Sequence, residues 1–191
     1  PIAKKIGSKG MVYSFEPQKM LYFLQCGNLA LNNIKNVEIF NAAMGKSNGK
    51  LFVDDIDYSD VGNFGGFGIK KGYDYSKFIK TNKNKPMKVV VKNLDQFLNL
   101  KKCNLIKLEA ESLETKILQG GLKFLEKFRP TMIIENDPLE PSELNKFLFS
   151  QNYDLYWISY RLFQENNYFI NSKNYFNTWS KSYVLAYPKE K

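Results

Sequence analysis

The stretch Asn104 to Glu114 constrains this chain more than any other. Leu105, Ile106 and Leu108 form a short apolar run of the kind seen in a parallel strand covered on both faces. Glu109, Glu111 and Glu114 follow directly, and a helical pattern runs from Thr115 to Phe128. A strand, an acidic turn and a helix in that order describe the edge at which open α/β sheets bind ligands. The rest of the chain reads as strands and helices arranged around that edge.

Upstream, Ile2 to Ile6 reads as the last turns of a helix ended by Gly7. Gly10 to Phe15 is a β-rich run stopped by Glu16-Pro17. Met20, Leu21, Leu24 and Leu31 recur at helical spacing, and Val37 to Ala43 is a second strand. Short connections in this β-α-β order imply parallel strands. Lys50 to Val53 opens an antiparallel excursion, and 54–88 reads as one long excursion or lid carrying the cluster Gly62-Asn63-Phe64-Gly65-Gly66-Phe67-Gly68. That cluster is no dinucleotide fingerprint, because it neither follows a strand nor opens a helix. Val89 to Val91 resumes a strand, and a short helix runs from Leu94 to Leu100. Downstream, Thr131 to Glu135 is a further buried strand. A helix starts at Pro141-Ser142-Glu143, and Tyr153 to Tyr160 and Lys181 to Tyr187 are strand-like around a surface excursion at 162–178. We expect a single domain over 1–191, with residues 11–15, 37–43, 104–108 and 131–135 side by side in one sheet.

Composition removes many chemistries. A chain of 191 residues with 43% hydrophobic residues can bury a sizeable core. It has no histidine, which excludes Ser-His-Asp and Cys-His nucleophile systems and an imidazole base. Acid-base work therefore falls to carboxylates, Lys, Tyr or Cys. The two cysteines, Cys26 and Cys103, lie in apolar patterns without metal or redox spacing and read as buried free thiols of a reducing cytoplasm. No apolar run reaches the roughly 20 residues of a membrane span. The net charge of +9 is carried almost wholly by lysine, only Arg129 and Arg161 being arginine. That composition argues against a surface built to read nucleic acid, which favours the guanidinium fork. A basic RNA-binding module or a non-catalytic Rossmann-like interaction domain stands as the alternative, whereas a dinucleotide oxidoreductase lacks its glycine motif.

Glu16, Glu109 and Glu135 each close a strand on the same expected rim. Such a rim offers a ribose-binding carboxylate and one or two bases. Five blocks then resemble, in order, the motifs of FkbM-type methyltransferases. They are Gly10 to Pro17, Asn41 to Gly45, Leu94-Asp95, Ile106 to Glu114 with Leu118 and Gly120, and Pro130 to Glu135. Val184 to Pro188 is similar to the family's closing strand. The resemblance implies a Rossmann-like, doubly wound, mostly parallel sheet of the class I methyltransferase type. It also implies an S-adenosylmethionine-dependent O-methyltransferase acting on a hydroxyl of a saccharide or other small molecule. By that resemblance Glu16 binds the ribose, Ala43 and Met44 lie beside the adenine, and Glu109 belongs to the cofactor edge. Glu109 or Glu135 serves as the base, while Asn63, Gly65, Gly66 and Glu111 meet the acceptor. Two positions depart from the family pattern. Glu109 stands where the family has Asp, and Ser112 where it has Gly. The glycine-rich strand and turn that hold the methionine end of the cofactor in this family are not in the sequence, so an N-terminally truncated domain is expected, with an exposed groove where that strand would lie.

Overall fold

The structure, a computed structural model, describes residues 1–59, 64–66, 81–136, 142–167, 170–175, 177–178 and 180–190. In chain order the elements are α1 (Ile2–Ile6), β1 (Val12–Phe15), α2 (Lys19–Leu31), β2 (Val37–Phe40), β3 (Ala43–Met44), β4 (Gly49–Ile56), β5 (Thr81–Lys92), β6 (Leu105–Leu108), α3 (Glu114–Gln119), α4 (Leu122–Phe128), β7 (Thr131–Glu135), α5 (Glu143–Ser150), β8 (Tyr153–Arg161) and β9 (Ser180–Pro188). They divide into two compact units, residues 1–96 with 116–121, and residues 97–115 with 122–191.

In the first unit β1 and β2 pair in parallel, from Val12 opposite Val37 to Phe15 opposite Phe40. Gly7 ends α1 at φ 67°, a conformation that glycine adopts without steric penalty. A second sheet has the order β3-β5-β4. β4 and β5 are antiparallel, so both ends of the expected excursion are strand rather than loop. Their register slips between Val53 and Asp55, beside Pro86 of β5, which has no N–H to donate to a ladder. The core of this unit includes Ala42, Ala43, Ile56, Val89 and Leu94. α2 adds no buried residue to it, although Met20, Leu21, Leu24 and Leu31 recur at helical spacing.

The second unit holds the sheet β6-β7-β9-β8, in which β6 and β7 are parallel and β9 is antiparallel to both β7 and β8. Strand alternation puts Leu108, Met132, Ile134, Val184, Ala186 and Tyr153 on one buried face. Leu144 and Leu148 of α5 are buried in the same unit. Ser142 starts α5 by accepting a bond from the Asn145 amide at 3.1 Å, which satisfies one of the orphan donors of the first turn.

Three sequence expectations are corrected. The four segments at 11–15, 37–43, 104–108 and 131–135 do not share one sheet. β1 pairs with β2 and β6 with β7 in separate small sheets, because among the described residues neither β1 nor β6 bonds a strand on its other side. The helix expected from Thr115 to Phe128 is two helices, broken at Gly120-Gly121. A Cβ on Gly120 would lie 2.5 Å from the Gly45 carbonyl oxygen, so the chain turns where only glycine fits. Cys26 and Cys103 are free thiols but only half-buried.

Candidate active site

Pro17 stops β1, and Glu16 stands at its carboxyl tip. One carboxylate oxygen of Glu16 accepts the Gln18 amide at 2.8 Å. The other has no partner among the described residues. Burial pushes the Glu16 carboxyl above its ordinary value, and the Gln18 amide partly opposes this. Gln18 is itself buried, with its side chain bonded at both ends: it donates to the Phe64 carbonyl at 2.7 Å and accepts from the Tyr58 hydroxyl at 3.0 Å. Burial, with the charges of Glu16 and Asp55, pushes Tyr58 up to about 12. The short helical turn Phe64–Gly66, which contains Gly65 and Gly66, is thus tied to a residue two positions from Glu16. Ala43 is buried and Met44 half-buried on β3 in the same unit. Asn63 lies outside the described residues.

In the second unit, Glu109 follows β6 and Glu135 ends β7. Glu135 is opposite Tyr183 of β9, and Leu108 and Ile134 are paired one step earlier, so Glu109, Glu135 and Tyr183 stand abreast on one face. Lys107 and Lys181 precede Glu109 and Tyr183 by two residues on that face. Lys107 Nζ lies 2.7 Å from Glu109 Oε1, and the Tyr183 hydroxyl donates to the same oxygen. Lys181 pairs with Glu135. Burial alone would raise the Glu109 carboxyl, but the bonds from Lys107 and Tyr183 and the charges of both lysines outweigh it and hold Glu109 below its ordinary value. Burial, the Glu109 bond and the Tyr160 bond raise Tyr183, keeping it a neutral donor.

Glu111 and Ser112 form the turn after Glu109, at φ 48° and 73°, a region that costs non-glycine residues about 1 to 2 kcal/mol each. Glu111 has no hydrogen bond or ion pair among the described residues. Burial and the charge of Glu135 raise its carboxyl, against the opposing pull of Lys181. Glu114 plays a structural part instead, since its buried side chain accepts the Ala110 amide at 2.8 Å and fastens the turn.

The second unit therefore brings Glu109, Glu111 and Glu135 together, while Glu16, Ala43, Met44 and the Gly65-Gly66 turn belong to the first. Sequence reasoning missed Gln18, Tyr58, Lys107, Lys181, Tyr160 and Tyr183. Lys107 was legible, since it lies two residues before Glu109 on a strand of period two. Tyr183 required the β7 to β9 register, which no local pattern carries.

Compared with known proteins, residues 2–155 match the family model described as a methyltransferase FkbM domain. A solved structure, methyltransferase FkbM from Methylobacillus flagellatus KT, is similar at 12% identity with a TM-score of 0.54. The match covers 92% of this chain and 36% of that one. A comparison with curated proteins gave no match. At that identity the likeness speaks for the fold, a mixed α/β arrangement, and the family model goes further: the chain belongs to the FkbM methyltransferase family.

Proposed function

We propose that the protein contributes the cofactor edge and the acceptor edge of an S-adenosylmethionine-dependent O-methyltransferase acting on a hydroxyl of a saccharide or similar small molecule. The observation that carries this reading is, in each unit taken by itself, a half-satisfied carboxylate at a strand end. Glu16 and Glu109 each have one oxygen anchored by the protein and one without a partner among the described residues. A carboxylate at such a tip is suited to a ribose diol, which it holds by accepting from two hydroxyls. Ala43, buried, and Met44, half-buried, would lie beside the adenine. When bound, the cofactor supplies an electrophilic methyl group on a sulfonium.

The chain's own residues then divide the work in three. Glu16 binds the ribose, and the Gln18-Tyr58 bonds keep the Phe64–Gly66 turn next to it. Glu109 presents its unbonded oxygen to the acceptor hydroxyl. Glu111, whose carboxyl is raised by burial and by the charge of Glu135, is the group that would receive the proton. Alignment of donor and acceptor supplies much of the rate, and misplacement by about 1 Å costs about 100-fold.

The test is titration calorimetry with S-adenosylmethionine on the full gene product that contains this chain, in the wild type and in Glu16→Ala. Loss of most of the binding in Glu16→Ala is expected, because hydrogen bonds to a charged group contribute about 1.5 to 3 kcal/mol. Binding that survives the substitution would remove Glu16 from the cofactor site.

A further inference from the structure

The bonds on Glu109 are unequal, and the inequality points to a residue outside every family block. Both of its donors, Lys107 Nζ and the Tyr183 hydroxyl, meet Oε1, and neither meets Oε2. Lys107 is a flexible, half-exposed point charge on the same strand. Tyr183 is 4% exposed and comes from β9, two strands away. Two strand spacings are roughly 9.5 Å. A glutamate arm and a tyrosine ring meet across the intervening β7; an aspartate is one methylene shorter.

Tyr183 is itself held. Its ring stacks on Tyr160 of β8, with centroids 5.7 Å apart and planes at 9°. The Tyr160 hydroxyl donates to the Tyr183 hydroxyl at 3.3 Å, and Lys107 Nζ lies 5.8 Å from the Tyr183 ring centre. The Tyr183 hydroxyl thus accepts from Tyr160 and gives its proton toward Glu109, so the chain of bonds has one direction. The groups that face this carboxylate are Lys107 on β6, Glu111 on the following turn, Glu135 on β7, Lys181 and Tyr183 on β9, and Tyr160 on β8.

Resting on the methyltransferase reading, we infer that Tyr183 is a positioning residue of this site: backed by Tyr160, it clamps Oε1 of Glu109 so that Oε2 faces the acceptor hydroxyl. The glutamate at 109 and the tyrosine at 183 then form one device, in which the longer carboxylate arm is usable because a donor on β9 fixes its end.

Tyr183→Phe keeps the ring and its stack and removes only the hydroxyl. The Glu109 carboxyl, followed by carbon-13 NMR titration, should move upward. The acid limb of the methyl-transfer pH profile should move with it, and kcat should fall about 10- to 100-fold with the cofactor affinity unchanged. Tyr160→Phe leaves the clamp but removes its backing, and should shift the titration in the same direction by less. In a Glu109→Asp background, where the carboxylate is drawn back by one methylene, adding Tyr183→Phe should change neither readout. An unmoved Glu109 titration in Tyr183→Phe, or a full Tyr183→Phe effect in the Glu109→Asp background, overturns the inference. So does a moved titration with unchanged kcat. If no acceptor or cofactor supports methyl transfer by the wild type, the function reading fails, and the titration with its Glu109→Asp arm still decides whether Tyr183 holds Glu109.

Discussion

Ser112→Gly isolates the strain of the turn that follows Glu109. Ser112 has φ 73°, and its hydroxyl has no partner among the described residues, so the side chain contributes no bond that the substitution would remove. The left-handed region costs a non-glycine residue about 1 to 2 kcal/mol. Glycine escapes that cost but loses roughly 0.5 to 1 kcal/mol more backbone entropy on folding. The difference predicts a gain of about 0.5 to 1 kcal/mol for Ser112→Gly. In a chain of this length that corresponds to a rise in Tm of about 1 to 4 °C. Ser112→Ala is the control, because it removes the same hydroxyl and keeps the Cβ that makes the conformation costly; no gain is expected. Urea unfolding followed by circular dichroism measures both variants under one condition. Equal stability of the glycine and alanine variants would refute the argument from φ, and a loss on Ser112→Gly would mean that serine makes a contact stronger than the strain.

Gly120→Ala should cost about 1 to 3 kcal/mol, because the new methyl meets backbone atoms of Gly45 and Lys46 at 2.5 to 2.7 Å, and backbone yields less readily than a side chain; unchanged urea unfolding would mean that the α3–α4 break can open freely. Tyr153→Phe should be neutral or stabilising by up to about 1 kcal/mol, since the Tyr153 hydroxyl is buried without a hydrogen-bond partner among the described residues, while the Arg129 guanidinium, 4.4 Å from the ring centre, is retained over phenylalanine. A clear loss of stability would reveal a bond to that hydroxyl. The pH dependence of stability separates Glu109 from Glu111. Glu109, held low, contributes stability that is present above the ordinary carboxylate range and lost as pH falls through its folded value. Glu111, held high, contributes stability that is present below the ordinary range and lost as pH rises through its folded value. Glu111→Gln should therefore be more stable than the wild type at pH 7, with the gap closing toward pH 4, and a gap that widens on acidification would contradict the sign of the Glu111 shift.

Local chemistry made the elements legible and tertiary pairing did not. Glu16-Pro17 marks the end of β1, Gly7 the end of α1, and the turn after Leu108 the end of β6, because proline, glycine and charge act on the nearest few residues. The break at Gly120-Gly121 escapes a periodic reading, since Ile117, Leu118, Leu122 and Leu125 keep helical spacing straight across it. Only the close approach of Gly45 shows why glycine stands at the break. β6 misleads for a related reason. Its apolar letters suggest a strand covered on both faces, yet Leu105 is 48% exposed and Lys107 lies in mid-strand on the same face. A lysine within a four-residue strand is the sign that one face is polar.

That polar face bears on how a histidine-free chain of net charge +9 would handle a cationic cofactor. Taken over the whole surface the charge would repel a sulfonium. On the face of β6, β7 and β9 the balance is reversed: Lys107 and Lys181 are each matched to a carboxylate, Glu109 and Glu135, and Glu111 remains in excess. Under the proposed reading the lysines on this face would not oppose a cationic cofactor, because Lys107 pairs with Glu109 and Lys181 with Glu135. The excess carboxylate stands on a turn strained at two successive residues, Glu111 and Ser112. Under the proposed reading, a local negative charge stabilises the sulfonium before transfer and the acceptor's proton after it, and so favours binding of the charged donor over its neutral demethylated product. The tyrosines complete the arrangement. They donate without adding charge, so Glu109 is fixed by Tyr183 while the electrostatic balance of the face is left to Glu111, which among the described residues has no ion-pair partner.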